Sequence, residues 1–326
     1  MNRAAVVATL PLALALAGCA KSPDAGKPKV AFLLSTLQEE RYQKDKAYFE
    51  AAARRLGLAP FTLAADNDNA RQLNEVEDAL ARGAKVLVIQ PTDSAAAGAY
   101  VSKAHEAGVP VIAYDRGIKS GAVDYYVTHD SFRIGQLQAQ KALAAHPTGN
   151  YVLLEGQSGH SVAMEIARGY YSILQPQIDA GAIRVVVEKW HDAWSPEQAL
   201  KTVEDAIAKT NGNIAAILAN NSGLARGAVQ AVQVAKLKDV FIAGADADAA
   251  NVEYVCEGKQ SLEVLKAIRP LAERAAEVAS MLVRTGMVDG KTQIAAVDVK
   301  LVEAKNARHV VVDSGFHPAS AVPGCP

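Results

Sequence analysis

The chain has 326 residues, a length that predicts two domains of roughly 100 to 200 residues rather than one small domain. Half of the residues are hydrophobic and 21% are charged, which excludes a globally disordered chain. Lys and Arg number 34 against 35 Asp and Glu, and the net charge of -1 gives no long-range field for a polyanion. Nucleic acid is therefore not expected as a partner.

The N-terminus has the pattern of an export signal. Arg3 precedes a largely apolar stretch from Ala4 to Leu16, and small residues follow before Cys19. The stretch is shorter than the roughly 20 residues that span a membrane. The sequence LAGC at positions 16–19 resembles a bacterial lipobox, which predicts a mature chain that starts at a lipid-bearing Cys19 and contacts a membrane through that anchor. An ordinary cleaved signal with an incidental cysteine is the alternative. Residues 20–28 are predicted to form a flexible tether.

From residue 29 onward, short apolar runs alternate with amphipathic segments. The runs are continuously hydrophobic, which is typical of strands buried on both faces of a sheet. The predicted strands are Val30–Leu34, Phe61–Ala64, Val86–Ile89, Val109–Ala113 and Tyr125–Val127. The predicted helices between them are Gln43–Leu56, Ala70–Ala81 and Ala95–Ala107, each followed by a glycine suited to a left-handed cap.

The pattern begins again after residue 128. A helix is predicted at Ser131–Ala145, and strands are predicted at Tyr151–Leu154, Ile183–Val187, Ile214–Leu218 and Val240–Ala243. The sequence therefore predicts an α/β protein with two doubly wound parallel sheets, one in each half.

Beyond Cys19, two cysteines remain, Cys256 and Cys325, in a chain destined for a compartment that permits disulfides. A bridge between them would tie the C-terminal tail to the body of a lobe and stabilise the fold by constraining the unfolded chain. Two unpaired thiols are the alternative, because nothing in the sequence sets their distance.

Signatures of catalysis and of metal binding are weak. The sequence GQSGH at Gly156–His160 nearly matches the GxSxG nucleophile elbow but has His where the second Gly belongs. Asp66–Asn69 invites a calcium interpretation, yet it lacks the glycine and the closing acid of such a loop, so we expect a polar turn that caps the next helix. His129, His191 and His317 lack metal-ligand spacing. We expect no enzymatic activity, no cofactor and no metal.

Polar and aromatic residues follow many of the predicted strands, at the ends where open α/β sheets bind ligands. These residues are Arg41, Tyr42, Asp115, Arg116, Trp190, Trp194, Asn220, Asn221, Asp246, Asp248 and Lys266. Carboxylates, amides and guanidinium groups match the hydroxyls of a sugar, and aromatic rings cover its C–H faces. Taken singly, each residue also has a structural explanation, as a solvated helix residue, a cap or part of the core.

A series of short segments, in order, resembles a known family, the periplasmic sugar-binding proteins of ABC importers with the type I fold. The segments are Glu40–Asp45, Ala113–Arg116, Gly135–Ala139, Pro196–Lys201, Gly244–Asp248 and Gly315–His317. The similarity covers nearly the whole mature chain. It implies two lobes joined by a three-strand hinge, with residues 29–129 plus 262–293 in the N-terminal lobe and 130–261 plus 294–326 in the C-terminal lobe.

The resemblance also implies a ligand pocket between the lobes. Its residues would be Arg41, Tyr42, Asp115 and Arg116 from one side and Trp190, Asn220, Asp246 and Lys266 from the other. At 158–162 this chain has Ser-Gly-His-Ser-Val where the family has Asp and Asn, so His160 is the candidate contact in that loop and the departure bears on which ligand binds.

The implied function is that of a monomeric periplasmic protein that binds a monosaccharide, xylose first and another aldose second, and delivers it to the membrane subunits of an ABC permease. A protein of the same fold with a non-sugar ligand, or one that feeds a sensor, is the alternative. The ligand-sensing half of a repressor shares the fold, but it would carry a helix-turn-helix where this chain has an export signal.

Overall fold

The computed structural model describes residues 24–286 and 292–325. The predicted export signal, with Cys19, and residues 20–23 of the predicted tether lie outside the described residues. Within the described ranges the strands form two six-stranded sheets. The predicted α/β fold with two lobes is therefore confirmed.

The first sheet is built mainly from the N-terminal half, and all its pairings are parallel. Its strands are β1 Lys29–Leu34, β2 Ala59–Ala64, β3 Val86–Ile89, β4 Val111–Tyr114, β5 Tyr125–His129 and β11 Gln293–Val297. They lie in the order β11-β5-β4-β3-β1-β2. In β1, Lys29 pairs with Ala59 on one side and Val30 pairs with Val86 on the other. Five of the six β1 residues are buried because helices cover both faces of the sheet.

The second sheet repeats this plan with one exception. Its strands are β6 Gly149–Glu155, β7 Ile183–Trp190, β8 Ala216–Ala219, β9 Phe241–Ala245, β10 Leu262–Lys266 and β12 Val299–Val302. They lie in the order β12-β10-β9-β8-β6-β7, and β12 runs antiparallel to β10 at one edge. Every strand predicted from hydrophobicity is present, with ends shifted by a few residues.

Nine α-helices of the described residues pack on the two sheets. They are α1 Glu40–Arg55, α2 Asn69–Ala81, α3 Gly98–Glu106, α4 Ser131–Ala145, α5 Ser161–Asp179, α6 Pro196–Thr210, α7 Ser222–Val234, α8 Ala249–Cys256 and α9 Ile268–Thr285. The Asp66–Asn69 segment is the predicted polar turn, because Asp68 caps α2 by accepting a hydrogen bond from the Arg71 N–H at 2.7 Å.

The described chain passes between the sheets at three places, after β5, after β10 and after β11. Single residues separate the elements there: Asp130, Ala267 and Asp298. The predicted boundaries at 262 and 293 differ from this arrangement. Residues 262–266 form β10, which pairs with β9 in the second sheet, whereas residues 293–297 form β11, which pairs with β5 in the first. The crossings therefore come at the ends of these strands.

The C-terminal tail packs on the second lobe. Cys256 at the end of α8 forms a disulfide with Cys325, and the open question of their pairing is resolved in favour of a bridge. Val322 and Cys325 are buried in a small apolar cluster with Val252 of α8 and Val302 of β12. Among the described helices, none combines the length and apolar character that crossing a membrane requires.

Candidate ligand-binding site

The first wall of the site lies at the carboxyl ends of β1 and β4. Arg41 and Tyr42 occupy the first turn of α1, and Asp115 and Arg116 follow β4 directly. Asp115 has a left-handed φ of 60°, which is unfavourable for a residue with a Cβ. Its backbone is fixed on both sides, because its N–H donates to the Val127 carbonyl at 2.8 Å and its carbonyl accepts from the Thr128 hydroxyl at 3.0 Å.

The second wall lies at the carboxyl ends of the second sheet. Asn220 follows β8, Asp246 follows β9 and Lys266 ends β10. The Asn220 side chain is anchored by the Gly156 N–H, which donates to Oδ1 at 2.8 Å. The two walls face each other across the cleft between the lobes, and the named side chains are all nearly buried.

Four charged residues join the two walls. Arg41 lies 3.3 Å from Asp115 on its own lobe and 3.4 Å from Asp246 on the opposite lobe. Lys266 makes the complementary contacts, 3.3 Å to Asp115 across the cleft and 3.4 Å to Asp246. We call Arg41, Asp115, Asp246 and Lys266 the cross-cleft cluster. Although burial opposes ionisation, Arg41 and Lys266 hold the pKa of Asp115 well below its usual value, so Asp115 is a carboxylate.

Two polar atoms of this cluster are close to opposite charges but lack a hydrogen bond among the described residues. Arg41 Nη2 and Asp115 Oδ1 are buried, and neither makes a hydrogen bond to another residue within the described ranges, although the two atoms are 3.3 Å apart. Buried polar groups are usually hydrogen-bonded. A donor and an acceptor side by side match the two capacities of one hydroxyl group.

Arg116 forms a second fixed point in the first wall. Its guanidinium donates to the Ser35 hydroxyl at 2.9 Å and to the Tyr42 hydroxyl at 2.9 Å. It also lies over two aromatic rings, 5.8 Å from the Tyr42 centroid and 5.9 Å from the Trp194 centroid. The Arg116 guanidinium therefore contacts both the Tyr42 and the Trp194 rings and helps to hold them in place.

The deep pocket between the walls is nearly closed. It holds about 10 Å³, about the space of one water molecule. An outer cleft of about 510 Å³ lies beside it, and Glu39, Arg41, Trp194, Asn221 and Asp246 line both. A ligand of several heavy atoms does not fit the deep pocket in this arrangement of the lobes.

Comparison with known proteins agrees with this two-lobed geometry. The periplasmic binding protein domain family matches residues 30–287. The chain belongs to this family. Membership places it among binding proteins rather than enzymes.

Several relatives resemble this binding protein along most of their length. A D-xylose-binding periplasmic protein of Haemophilus influenzae is 32% identical over 97% of this chain and 98% of its own. The D-xylose-binding periplasmic protein of Escherichia coli is 34% identical over 90% of this chain and 92% of its own. Among solved structures, a carbohydrate transporter solute binding protein of Chloroflexus aurantiacus in complex with D-glucose is 30% identical and has a TM-score of 0.84, covering 91% of this chain and 98% of that one.

The structure of the binding protein brings seven of the nine predicted ligand contacts to one pocket. They are Arg41, Tyr42, Asp115, Arg116, Asn220, Asp246 and Lys266. Sequence reasoning omitted Glu39 and Val162 and left Asn221 out of the predicted site, although all three line it. Glu39 precedes α1 in the loop after β1, so the same strand-end rule could have selected it. Burial raises its pKa to about 7, against the effect of Arg116.

Trp190 is not among the residues that line the pocket. It ends the edge strand β7 with 37% of its surface exposed, whereas Trp194 is 7% exposed and lines both cavities. The reason is a tight turn after β7, in which Ala193 and Trp194 both have positive φ, 51° and 57°. The turn carries Trp194 into the site, where Gly156 makes room for it; a Cβ at Gly156 would lie 2.3 Å from the indole ring.

His160 does not line the pocket either. It is buried behind the wall, where its Nδ1 accepts a hydrogen bond from Trp194 Nε1 at 2.8 Å and its Nε2 contacts the Thr92 carbonyl oxygen. The GxSxG-like segment is therefore explained without catalysis. Gly156 accommodates Trp194, Ser158 is exposed, and both His160 nitrogens are bonded to groups other than Ser158.

Proposed function

We propose that this chain is the substrate-binding component of an ABC sugar importer and binds one monosaccharide between its lobes, D-xylose first and another aldose second. The cross-cleft cluster is the observation that carries the proposal. It brings buried carboxylates and cations of both lobes together around one small pocket. The names of the relatives, D-xylose-binding periplasmic proteins, support the choice of the first sugar.

The charges of the pocket favour a neutral ligand. Three cations, Arg41, Arg116 and Lys266, lie with the carboxylates of Asp115 and Asp246, and Asp45 contacts Arg41 at 3.2 Å. Glu39 also lines the pocket, so the acidic groups are at least as numerous as the cations, and an anionic sugar acid would add an uncompensated buried charge. A neutral polyol instead donates hydrogen bonds to the carboxylates and accepts them from the cations, and it leaves the net charge of the pocket unchanged.

The apolar part of the pocket suits the C–H faces of a sugar ring. Trp194 and Tyr42 contribute aromatic surface, and Val162 adds an aliphatic wall from the start of α5. Such a site discriminates against analogues that lack a hydroxyl, because its own buried polar groups would then lose their partners.

The transport role follows from lobe closure. A ligand that contacts both walls binds the closed arrangement better than the open one, and it shifts the hinge equilibrium toward closure. The membrane subunits of a permease then recognise a surface that exists only when the lobes are together. We place the protein in the periplasm, as the names of its relatives support, with a lipid on Cys19 as its membrane contact and with the protein itself acting as a monomer.

A thermal-shift screen of the mature protein tests the proposal. The ligands are xylose, ribose, arabinose, glucose and galactose at millimolar concentration. A ligand at 1,000 times its Kd stabilises the native state by roughly 4 kcal/mol, so the true ligand raises Tm by several degrees. Absence of a shift with all five sugars overturns the sugar assignment, and a shift with a non-sugar solute alone favours a different ligand class for the same fold.

Asp246→Asn tests the site itself. Asp246 has φ of 97°, and Asn tolerates positive φ better than Ala, so the substitution removes charge with little backbone strain. We expect affinity to fall about 100-fold, because Asp246 contacts both cations of the cluster. Asp239→Asn is the matched control, with φ of 59° and a side chain that is 92% exposed. Equal affinity of the two variants would remove Asp246 from the site.

A further inference from the structure

His160 joins the aromatic wall of the pocket to the opposite lobe. Its ring is buried at the start of α5, and the Trp194 indole donates to Nδ1 at 2.8 Å. Because an indole N–H can only donate, Nδ1 is the acceptor and the imidazole proton resides on Nε2. Nε2–H then donates to the Thr92 carbonyl oxygen in the loop after β3. One neutral tautomer of His160 therefore makes both hydrogen bonds. We call this chain from Trp194 through His160 to Thr92 the relay.

The surroundings of His160 keep the imidazole neutral. Burial and the neighbouring Arg116 guanidinium hold its pKa well below the usual value. Arg116 Nη1 lies 3.4 Å from Nε2, on the same side as the Thr92 carbonyl. A second ring proton would put Nδ1–H against the indole N–H, so the relay exists in the neutral form alone.

The relay belongs to a seam of direct contacts between the lobes. Ser161 N–H donates to the Ser94 hydroxyl at 3.2 Å, and Gly117 N–H donates to the Ser161 hydroxyl at 2.6 Å. Thr92, Ser94 and Gly117 belong to the lobe of the first sheet, whereas His160 and Ser161 belong to that of the second. These contacts require the lobes to be together, and separation of the lobes breaks them.

Trp194 depends on this seam more than a residue in regular structure would. It lies in the irregular three-residue 3₁₀ turn Asp192–Trp194, with positive φ at Ala193 and Trp194, rather than in an α-helix or strand. Its ring stacks on the His160 ring with centroids 5.8 Å apart. Its orientation is therefore set largely by side-chain contacts.

We propose that His160 is a positioning residue that fixes the Trp194 ring against the ligand when the lobes close, and that it releases the ring when Thr92 withdraws. This inference rests on the proposed function. It means that the loop at 158–162 acts on ligand affinity through Trp194 and through closure, not by direct contact of His160 with the sugar. The expected consequence is slower ligand release from the closed state.

The test uses the two tryptophans of the chain. Trp190→Phe leaves Trp194 as the sole tryptophan. In this background, His160→Leu removes both bonds, His160→Asn retains an acceptor near the position of Nδ1, and His160→Gln retains a donor near the position of Nε2. Indole emission and acrylamide quenching report on Trp194 without sugar, and calorimetry and stopped-flow report on affinity and release.

We expect His160→Leu to make Trp194 more accessible to acrylamide and to weaken sugar binding about tenfold, mainly through faster release. His160→Asn should restore the emission but not the affinity, because it lacks the bond to Thr92. His191→Gln is the matched control: the His191 side chain is also buried with two hydrogen bonds, to the Glu155 carbonyl and the Thr202 hydroxyl, and does not contact the Trp194 indole N–H. The His191 backbone carbonyl, which accepts from the Trp194 backbone N–H at 3.2 Å, is retained in this variant. The substitution should lower stability and leave emission and affinity unchanged.

The inference is overturned when His160→Leu retains the parent quenching, or when it binds and releases sugar as the parent does. If the parent itself binds none of the sugars, the proposed function fails, and the quenching comparison still decides whether His160 holds Trp194.

Discussion

At the scale of single residues, Glu155 is a buried carboxyl group without an ion-pair partner among the described residues. It ends β6, is fully buried, and neither of its oxygens makes a hydrogen bond to another residue in 24–286 or 292–325. Burial raises its pKa to about 8 from a usual value of 4.5. Glu155 is therefore largely protonated at neutral pH in the folded protein and ionised in the unfolded chain.

This difference makes stability depend on pH in a defined direction. Because the folded state binds the Glu155 proton more tightly, its contribution is favourable at acidic pH and is lost as pH rises from about 4.5 to about 8. Gln at this position is neutral throughout. We expect the stability of Glu155→Gln relative to the wild type to rise by roughly 3 kcal/mol between pH 5 and pH 8, measured by urea unfolding.

Glu204→Gln, at an exposed position of α6, controls for the loss of a negative charge in the same lobe. The same pH trend in both variants would show that burial of Glu155 is not its cause.

The two tryptophans show what residue-level sequence reasoning can and cannot resolve. Trp190 and Trp194 follow the same strand, and both satisfy the rule that ligand contacts lie after strand ends. The turn that selects Trp194 needs positive φ at Ala193 and Trp194, residue types that rarely adopt it, so no local signal marks it. Asp115 and Asp246 were found because they come directly after buried strands, and Arg41 because it lies at the start of the helix that follows β1.

At the scale of elements, hydrophobic runs located strands β1 to β9 but not their pairing partners, and β10, β11 and β12 were not among the predicted strands. The pairing of β10 with β9 and β12 depends on contacts between segments that are separated in sequence. The same applies to β11, which pairs with β5 across more than 160 residues. Lobe boundaries were therefore displaced by one strand, whereas the two-sheet architecture was predicted correctly.

The C-terminal tail is an element whose stability depends on one covalent link. The Cys256–Cys325 disulfide spans 69 residues and joins α8 to a segment that lacks long regular structure. Substituting both cysteines by Ala should lower the free energy of unfolding by roughly 2–4 kcal/mol, because the unfolded chain regains the freedom of that loop. Neither cysteine lines the pocket, so sugar affinity should not change.

Urea unfolding of the oxidised protein, the reduced protein and the double variant measures this effect. The reduced protein and the variant should agree within error. Equal stability of all three would indicate that the apolar contacts of Val322 and its neighbours hold the tail without the bridge.

At the scale of the whole molecule, two kinds of contact connect the lobes. The crossings at Asp130, Ala267 and Asp298 are covalent and persist in every state. The cross-cleft cluster and the seam around His160 are polar contacts that require closure. Because ion pairs that become solvated on opening contribute little net free energy, closure without ligand is held only weakly.

A bound sugar should therefore change the shape of the molecule as well as its stability. A ligand that binds the closed form alone, at 1,000 times its Kd, shifts the open-to-closed ratio about 1,000-fold. We expect small-angle scattering to give a smaller radius of gyration with the sugar identified by thermal shift than without it. Asp246→Asn at the same sugar concentration should keep the larger radius, and Asp239→Asn should contract like the wild type.

Identical scattering with and without a sugar that releases heat on binding would mean that the lobes are already closed in solution. In that case the interlobe contacts outweigh the freedom of the hinge, and the ligand enters by local opening of the outer cleft.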